Sequence, residues 1–151
     1  MPSDNGALDA TNLRLLEELQ KDARISQAEL GRRVGLSAPA VAERLSRLER
    51  DGTITGYHAA VDPRALGFTL AAIIRIRPAP RQIPKVAETA QATDEVVECH
   101  RVTGEDCFYM KVNVRSVEHL EEVIDRFTPY GQTTTSIIQS SPVLQRELKP
   151  A

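Results

Sequence analysis

Along the first fifty positions apolar residues recur every three or four places, and beyond Gly52 they begin to alternate. In "ALDATNLRLLEELQKDA", Leu8, Leu13, Leu16 and Leu19 make one seam with Leu15 beside it, and Asp9 stands where a helix cap belongs. "SQAELGRRVG" starts a second helix, with Ser26 as cap and Glu29 three residues on, the spacing of a capping box. Ala28, Leu30 and Val34 are expected to face inward, and Gly35 stops the helix with a left-handed residue. Ser37 then caps a third helix, with Pro39 in its first turn, where a missing N–H is harmless. Val41, Leu45 and Leu48 fall at i, i+4 and i+7 and are expected to pack on Leu16, Leu30 and Val34.

The alternating part begins with "TITGYHAAV", read as extended, and "DPRALG", read as a turn with a short helical piece. "FTLAAIIRIRP" predicts a strand with Leu70, Ala72, Ile74 and Ile76 on one side. "QIPKVAETAQAT" predicts a helix burying Ile83, Val86, Ala87 and Ala90. "EVVECHRVTG" and "CFYMKVNV" predict adjacent strands joined by a turn near residues 104–106. "VEHLEEVIDRF" carries Val117, Leu120, Ile124 and Phe127 at helical spacing, and "QTTTSIIQSS" predicts a closing strand. The order is βαββαβ, the ferredoxin-like arrangement. The expected fold is α+β in two domains: a helix-turn-helix over residues 1–52, a linker over 53–66, and the βαββαβ domain over 67–151.

Composition narrows the function classes. The 151 residues carry a net charge of −2, so overall basicity offers no argument for nucleic acid. No apolar run approaches the roughly 20 residues that span a bilayer, and "MPSDNGALDA" lacks the basic and apolar regions of a secretory signal. A cytoplasmic protein without a membrane partner is expected. The three histidines (His58, His100, His119) and two cysteines (Cys99, Cys107) show no metal-ligand spacing, and the cysteines are expected as packed thiols rather than a disulfide. With no tryptophan and 4% aromatics, a stacking surface for single strands has little support. Neither a nucleophile–base arrangement nor a phosphate-cradling glycine loop is present, so neither an enzyme nor a cofactor is expected.

The helix–turn–helix spacing gives the third helix a second role. Opposite its apolar seam lie Pro39, Glu43, Ser46 and Arg50, with Ala40 and Arg47 on a flank and Arg44 nearer the seam. From Arg32 to Arg50, five arginines (Arg32, Arg33, Arg44, Arg47, Arg50) outnumber Glu43 and Glu49 by three, whereas the first helix and its lead-in are acidic. Overall acidity therefore hides a local patch suited to phosphate. The leading positions, Ser37, Ala38, Pro39, Ala40 and Glu43, include none of the Arg, Asn or Gln side chains that read guanine or adenine bidentately. Loose sequence reading, through phosphate contacts and DNA deformability, is expected.

On the βαββαβ sheet, Ile73 and Tyr109 fall on the face away from both helices and need a cover. A two-fold dimer, sheet against sheet, provides one and pairs two recognition helices.

"LDATNLRLLEELQKDARISQAELGRRVGLSAPAVAERLSRLERDGTITGYHAAVDPRALG" resembles the N-terminal half of the Lrp/AsnC, or feast/famine, transcriptional regulators. "VVECHRVTGEDCFYMKV" and "TTTSIIQSS" are similar to that family's C-terminal effector domain, so the resemblance runs from about Leu8 to Ser141. It implies a winged-type helix-turn-helix joined by a β-strand hinge to the βαββαβ domain. It also implies dimers assembling to octamers or other higher oligomers, double-stranded DNA as partner, and an amino-acid effector held between dimers. Matched by motif, the DNA-facing positions are Ser37, Pro39, Ala40, Glu43, Arg44 and Arg47, alongside Ala38 from the reading of base contacts. Ser26 and Gln27 would add phosphate contacts through backbone N–H groups. The effector motif maps onto His100, Thr103, Gly104, Glu105 and Asp106, with Thr134 and Ser136 from the last strand. One departure stands out: Cys107 occupies a place where many members carry aspartate. Two other readings remain open: an architectural DNA-compacting protein without an effector, and a ligand-binding module whose helix-turn-helix makes protein contacts.

Overall fold

A computed structural model describes residues 8–150. Most of the "MPSDNGALDA" stretch read for a secretory signal lies outside the described residues. The chain divides into two compact units: one runs to Ala60 and takes in the C-terminal stretch from Val143, and the other spans Val61–Pro142.

In the first unit, α1 (Ala10–Lys21) starts where the Asp9 side chain accepts the Asn12 N–H at 2.7 Å. Helix α2 (Gln27–Val34) starts on Ser26, whose Oγ accepts the Glu29 N–H, and ends on Gly35 at φ 76°. Helix α3 (Ala38–Arg50) starts on Ser37, whose Oγ accepts the Ala40 N–H. Only half of the expected capping box forms at α2, because the Glu29 carboxylate turns to Arg32 and Arg33 instead.

The core of this unit is Leu15, Leu30, Val34, Val41 and Leu45. Leu15, expected beside the seam, is the fully buried residue of α1, while Leu16 takes no place in the core. Helix α1 is apolar on two adjacent sides, and spacing alone does not say which side meets α2 and α3. The other side, Leu8, Leu13, Leu16 and Leu19, lines a cleft of about 580 Å³ with Ile54 and Tyr57. Ala28, expected inside, is exposed. At the rim of the cleft the Gln20 amide donates to the Leu148 carbonyl at 3.0 Å and accepts the Leu148 N–H at 2.9 Å. That clamp holds the tail against α1, whereas the sequence pattern places the tail within the second domain.

No strand forms over residues 53–62, although a β-strand hinge is expected there. A strand needs a partner for its ladder, and this segment instead returns to α3. The Ile54 N–H donates to the Leu48 carbonyl, and the Tyr57 hydroxyl donates to Glu49 at 2.8 Å. Pro63–Leu66 is one short 3-10 turn capped by Asp62.

The second unit is a four-stranded antiparallel sheet ordered β2-β3-β1-β4, with β1 Leu70–Pro78, β2 Val96–Arg101, β3 Phe108–Val114 and β4 Gly131–Ile137. Helices α4 (Ile83–Gln91) and α5 (Val117–Asp125) complete the βαββαβ order of the ferredoxin-like fold. Ala72, Ile74 and Ile76 of β1 and Phe108, Met110, Val112 and Val114 of β3 share one face. Val86 and Ala90 of α4, Leu120 and Val123 of α5, and Phe127 close over them. Burying each of the larger side chains contributes about 1.5–3 kcal/mol, so this face sets the strand register. Val117, expected in the apolar row of α5, is 59% exposed because it opens the helix beyond the core, and Val123 holds the buried place.

No helix among the described residues is long and apolar enough to cross a membrane.

Candidate functional site

The open face of α3 begins at its capping serine. Ser37 and Pro39 are exposed, Ala38 and Ala40 half-buried, and Glu43, Ser46, Arg47 and Arg50 exposed. The Ser37 Oγ accepts the Ala40 N–H, which leaves its own O–H free to donate outward. Glu43 and Arg47 stand one turn apart and pair at 3.1 Å, with both side chains largely in solvent at 74% and 63% exposure. An exposed pair of this kind is worth little and gives way easily to a stronger partner. Ser26 and Gln27 are exposed at the start of α2, where backbone N–H groups point out of the helix.

The arginine patch is less free than a count along the chain implies. Both Arg32 and Arg33 reach the Glu29 carboxylate, at 2.6 Å and 2.9 Å, and Arg33 also reaches Glu18. Hydrogen bonds from Arg32 and Arg33 hold the Glu29 carboxyl down at about 2, well below the usual carboxylate range. Arg44, matched to a DNA-facing position, is half-buried and donates from Nη1 to Asp9 and Asn12 on α1. Among the described residues, Arg50 alone of the five arginines makes no ion pair. Glu29 stands just before the counted span, at i,i+3 and i,i+4, and Glu18 and Asp9 come from α1 and its cap, far along the chain.

In the second unit the motif residues fall into separate groups. Thr103, Gly104, Glu105 and Asp106 form the turn between β2 and β3, where Gly104 has φ 107°. Arg77, at the end of β1, binds Glu105 at 2.7 Å and Asp106 at 3.5 Å. Sequence reasoning missed Arg77; the signal is its register, one place beyond Ile76, which pairs with Phe108 directly after the turn. Cys107 points its thiol back at the Gly104 carbonyl, 3.3 Å away. Both cysteines are free.

His100 pairs across from Tyr109, Tyr109 from Arg75, and Arg75 from Thr134, so these four make one row over the sheet. The row puts His100 and Thr134 on opposite edges, three strand spacings or about 14 Å apart. Ser136 lies in the next row, opposite Ile73. A single protomer therefore does not gather His100, the turn, and Thr134 with Ser136 around one small ligand. Among the described residues, no group of three or more His, Cys, Asp or Glu is placed to hold a metal ion.

A family model described as the Lrp/AsnC ligand binding domain matches residues 71–148, and one described as a winged helix-turn-helix DNA-binding domain matches residues 8–55. The transcriptional regulator LrpC of Bacillus subtilis is 36% identical over 133 residues, which cover 88% of this chain and 92% of LrpC. The leucine-responsive regulatory protein of Escherichia coli is 36% identical over 138 residues, covering 87% of this chain and 84% of that protein. Among solved structures, B. subtilis LrpC superposes with a TM-score of 0.86 at 35% identity, over 91% of this chain and 99% of its own. A feast or famine regulatory protein from M. tuberculosis, complexed with L-methionine, superposes with a TM-score of 0.89 at 34% identity, over 95% of this chain and 100% of its own.

Proposed function

The chain belongs to the Lrp/AsnC family of transcriptional regulators, and from that premise we propose how its residues divide the work of binding DNA and an amino acid. It is a DNA-binding regulator and not an enzyme. Helix α3 enters the major groove with Ser37, Ala38, Pro39, Ala40 and Glu43 leading, while Arg47 and the N–H groups at Ser26 and Gln27 take phosphates. The observation that carries this reading is the outward row of Ser37, Pro39, Glu43 and Arg47 on a helix whose other side is fixed in the core by Val41 and Leu45. The alanines can touch thymine methyls and Glu43 can accept from cytosine N4, so sequence reading is loose.

The βαββαβ unit binds a free amino acid, a reading supported by the M. tuberculosis relative in complex with L-methionine. The ligand lies between protomers, a reading supported by the placing of His100 and Thr134 on opposite edges of the sheet within one chain. The working form is a homodimer, sheet against sheet, that assembles to an octamer or another higher oligomer in the cytoplasm. Ligand binding shifts that assembly, and with it the spacing of the α3 helices, by its differential affinity for the two states.

Fluorescence anisotropy on labelled duplex DNA across a salt series tests the DNA half. Affinity is expected to fall steeply with salt, and Arg47→Ala is expected to reduce the log–log slope by about one. A salt-independent affinity, or an unchanged slope in Arg47→Ala, would reject the docking of α3. Thermal shift against the twenty amino acids tests the effector half: a ligand at a hundred times its Kd stabilises the native state by about 2.7 kcal/mol. One observation favours a second reading, without an effector: Cys107 stands at the motif place, its thiol turned toward the Gly104 carbonyl. No shift with any amino acid, together with retained DNA binding, would select that architectural role.

A further inference from the structure

Arg44 falls in the DNA-facing set by motif, yet the structure gives it a different set of partners. It is the seventh of the thirteen residues of α3, between Val41 and Leu45, and its side chain is 30% exposed. Nη1 donates to Asp9 Oδ2 at 2.6 Å and to Asn12 Oδ1 at 3.0 Å. Asp9 is also the cap of α1, accepting the Asn12 N–H on its other oxygen, Oδ1. One carboxylate therefore starts α1 and anchors the middle of α3. The Arg44 hydrogen bond is the foremost reason that the Asp9 carboxyl lies below its ordinary range, so Asp9 is charged at any pH where the protein would meet DNA.

We infer that Arg44 is a positioning residue for DNA binding and not a phosphate ligand, holding α3 against the first turn of α1 through Asp9 and Asn12. The inference rests on the reading of α3 as the recognition helix. The apolar contacts of Leu15, Val41 and Leu45 set which side of α3 is buried, but they are non-directional and leave small rolls and slides of the helix weakly opposed. A two-acceptor contact from a planar guanidinium is directional. It fixes the angle at which α3 carries Ser37, Pro39, Glu43 and Arg47 outward. A roll well short of the roughly 100° between successive residues would shift that row relative to the groove while leaving the apolar seam buried.

The full-length protein and a labelled DNA duplex in a salt series provide the test, because positioning and phosphate contact predict opposite signs. Arg44→Met is expected to weaken binding about three- to tenfold at every salt concentration, with the log–log slope unchanged. Asp9→Asn keeps a good helix cap and removes a negative charge, so simple electrostatics predicts tighter binding. Positioning predicts weaker binding, and a double variant no weaker than Arg44→Met alone. Arg44→Lys, which retains one charged donor, is expected to recover part of the loss. Arg47→Ala serves as the reference, and its loss of about one unit of slope reports on the recognition-helix reading itself. A slope that falls by about one in Arg44→Met, with Asp9→Asn binding as well as the parent or better, would make Arg44 a phosphate ligand and overturn the inference. Unchanged affinity in both variants would overturn it too. Should Arg44→Met unfold, the sign of the Asp9→Asn effect still decides.

Discussion

The Nε2 of His119 lies 2.8 Å from Oε1 of Glu95, and Arg126 reaches the other oxygen of the same carboxylate at 2.9 Å. His119 is 5% exposed, and its Nδ1 accepts the Arg115 backbone N–H at 3.1 Å. With Nδ1 accepting, Nε2 carries the ring proton and donates to Glu95. The chain just before β2 is thereby tied to α5 and to the residue that ends it.

This contact predicts a specific acid sensitivity. Burial alone would raise the Glu95 carboxyl, but hydrogen bonds from Arg126 and His119 outweigh it and hold the group down at about 2. A carboxylate depressed in the folded state contributes stability above its unfolded value of about 4.3, and that contribution is lost as pH falls toward 2. Glu95→Gln is expected to be less stable than the parent near neutral pH, by about 1–3 kcal/mol. Urea midpoints measured from pH 7 to pH 2.5 are expected to converge at the acid end. Parallel curves would mean that the carboxylate charge contributes nothing.

The turn between α2 and α3 carries a second prediction. Gly31 is buried, its carbonyl accepts the Leu36 N–H at 2.8 Å, and a Cβ on it would run into the Leu36 carbonyl oxygen. Backbone cannot move aside as a flexible side chain would. Gly31→Ala is expected to destabilise the DNA-binding unit by about 1–3 kcal/mol despite the better helix propensity of alanine. A thermal midpoint equal to or above the parent's would contradict the packing.

Gly31 also shows where sequence reasoning stopped. Elements, caps and strand faces were legible because they rest on local periodicity: Asp9, Ser26 and Ser37 cap as expected, and Ala72, Ile74 and Ile76 share the buried face. Contacts between residues distant in the chain were not. Nothing local distinguishes Leu15 from Leu16 as the core residue of α1, or places Arg44 beside Asp9. In the same way Arg77 had no local pattern marking it, and its link to Glu105 needs the sheet register. The outward row of α3 was legible from the seam behind it. Of the pairing that neutralises Arg32 and Arg33, the share of Glu29 is local, at i,i+3 and i,i+4, but the Glu18 share was not legible, because it comes from α1.

That pairing gives a third prediction. Glu29 holds both Arg32 and Arg33, beside the helix start assigned to phosphate contacts. Glu29→Gln removes one negative charge and releases Arg32, while Arg33 keeps its pair with Glu18. DNA affinity at low salt is expected to rise by about two- to fivefold, with a steeper salt slope, because more counterions are released. Stability is expected to change little, since exposed ion pairs contribute about 0–1 kcal/mol. Weaker binding in this variant would show that the arginines need Glu29 to hold them in place.

The sheet face opposite the helices carries the last prediction. Tyr109 is 40% exposed there and Ile73 is half-buried, with Arg75 opposite Tyr109 and Lys111 opposite Ile73 in the register. A two-fold partner would cover Ile73 with the same patch of the second copy, so a substitution there acts twice. Ile73→Arg adds a cation beside Lys111 on both sides of the interface, and neither side supplies a carboxylate in the same row except Glu98 at the edge. Burying such charges unpaired is costly, and the variant is expected to sediment as a monomer at micromolar concentration. Losing the second recognition helix also removes the effective-concentration advantage of a linked pair. DNA affinity is therefore expected to fall by about a hundredfold or more while the helix-turn-helix stays folded. A dimeric Ile73→Arg protein with unchanged DNA affinity would move the interface away from this face.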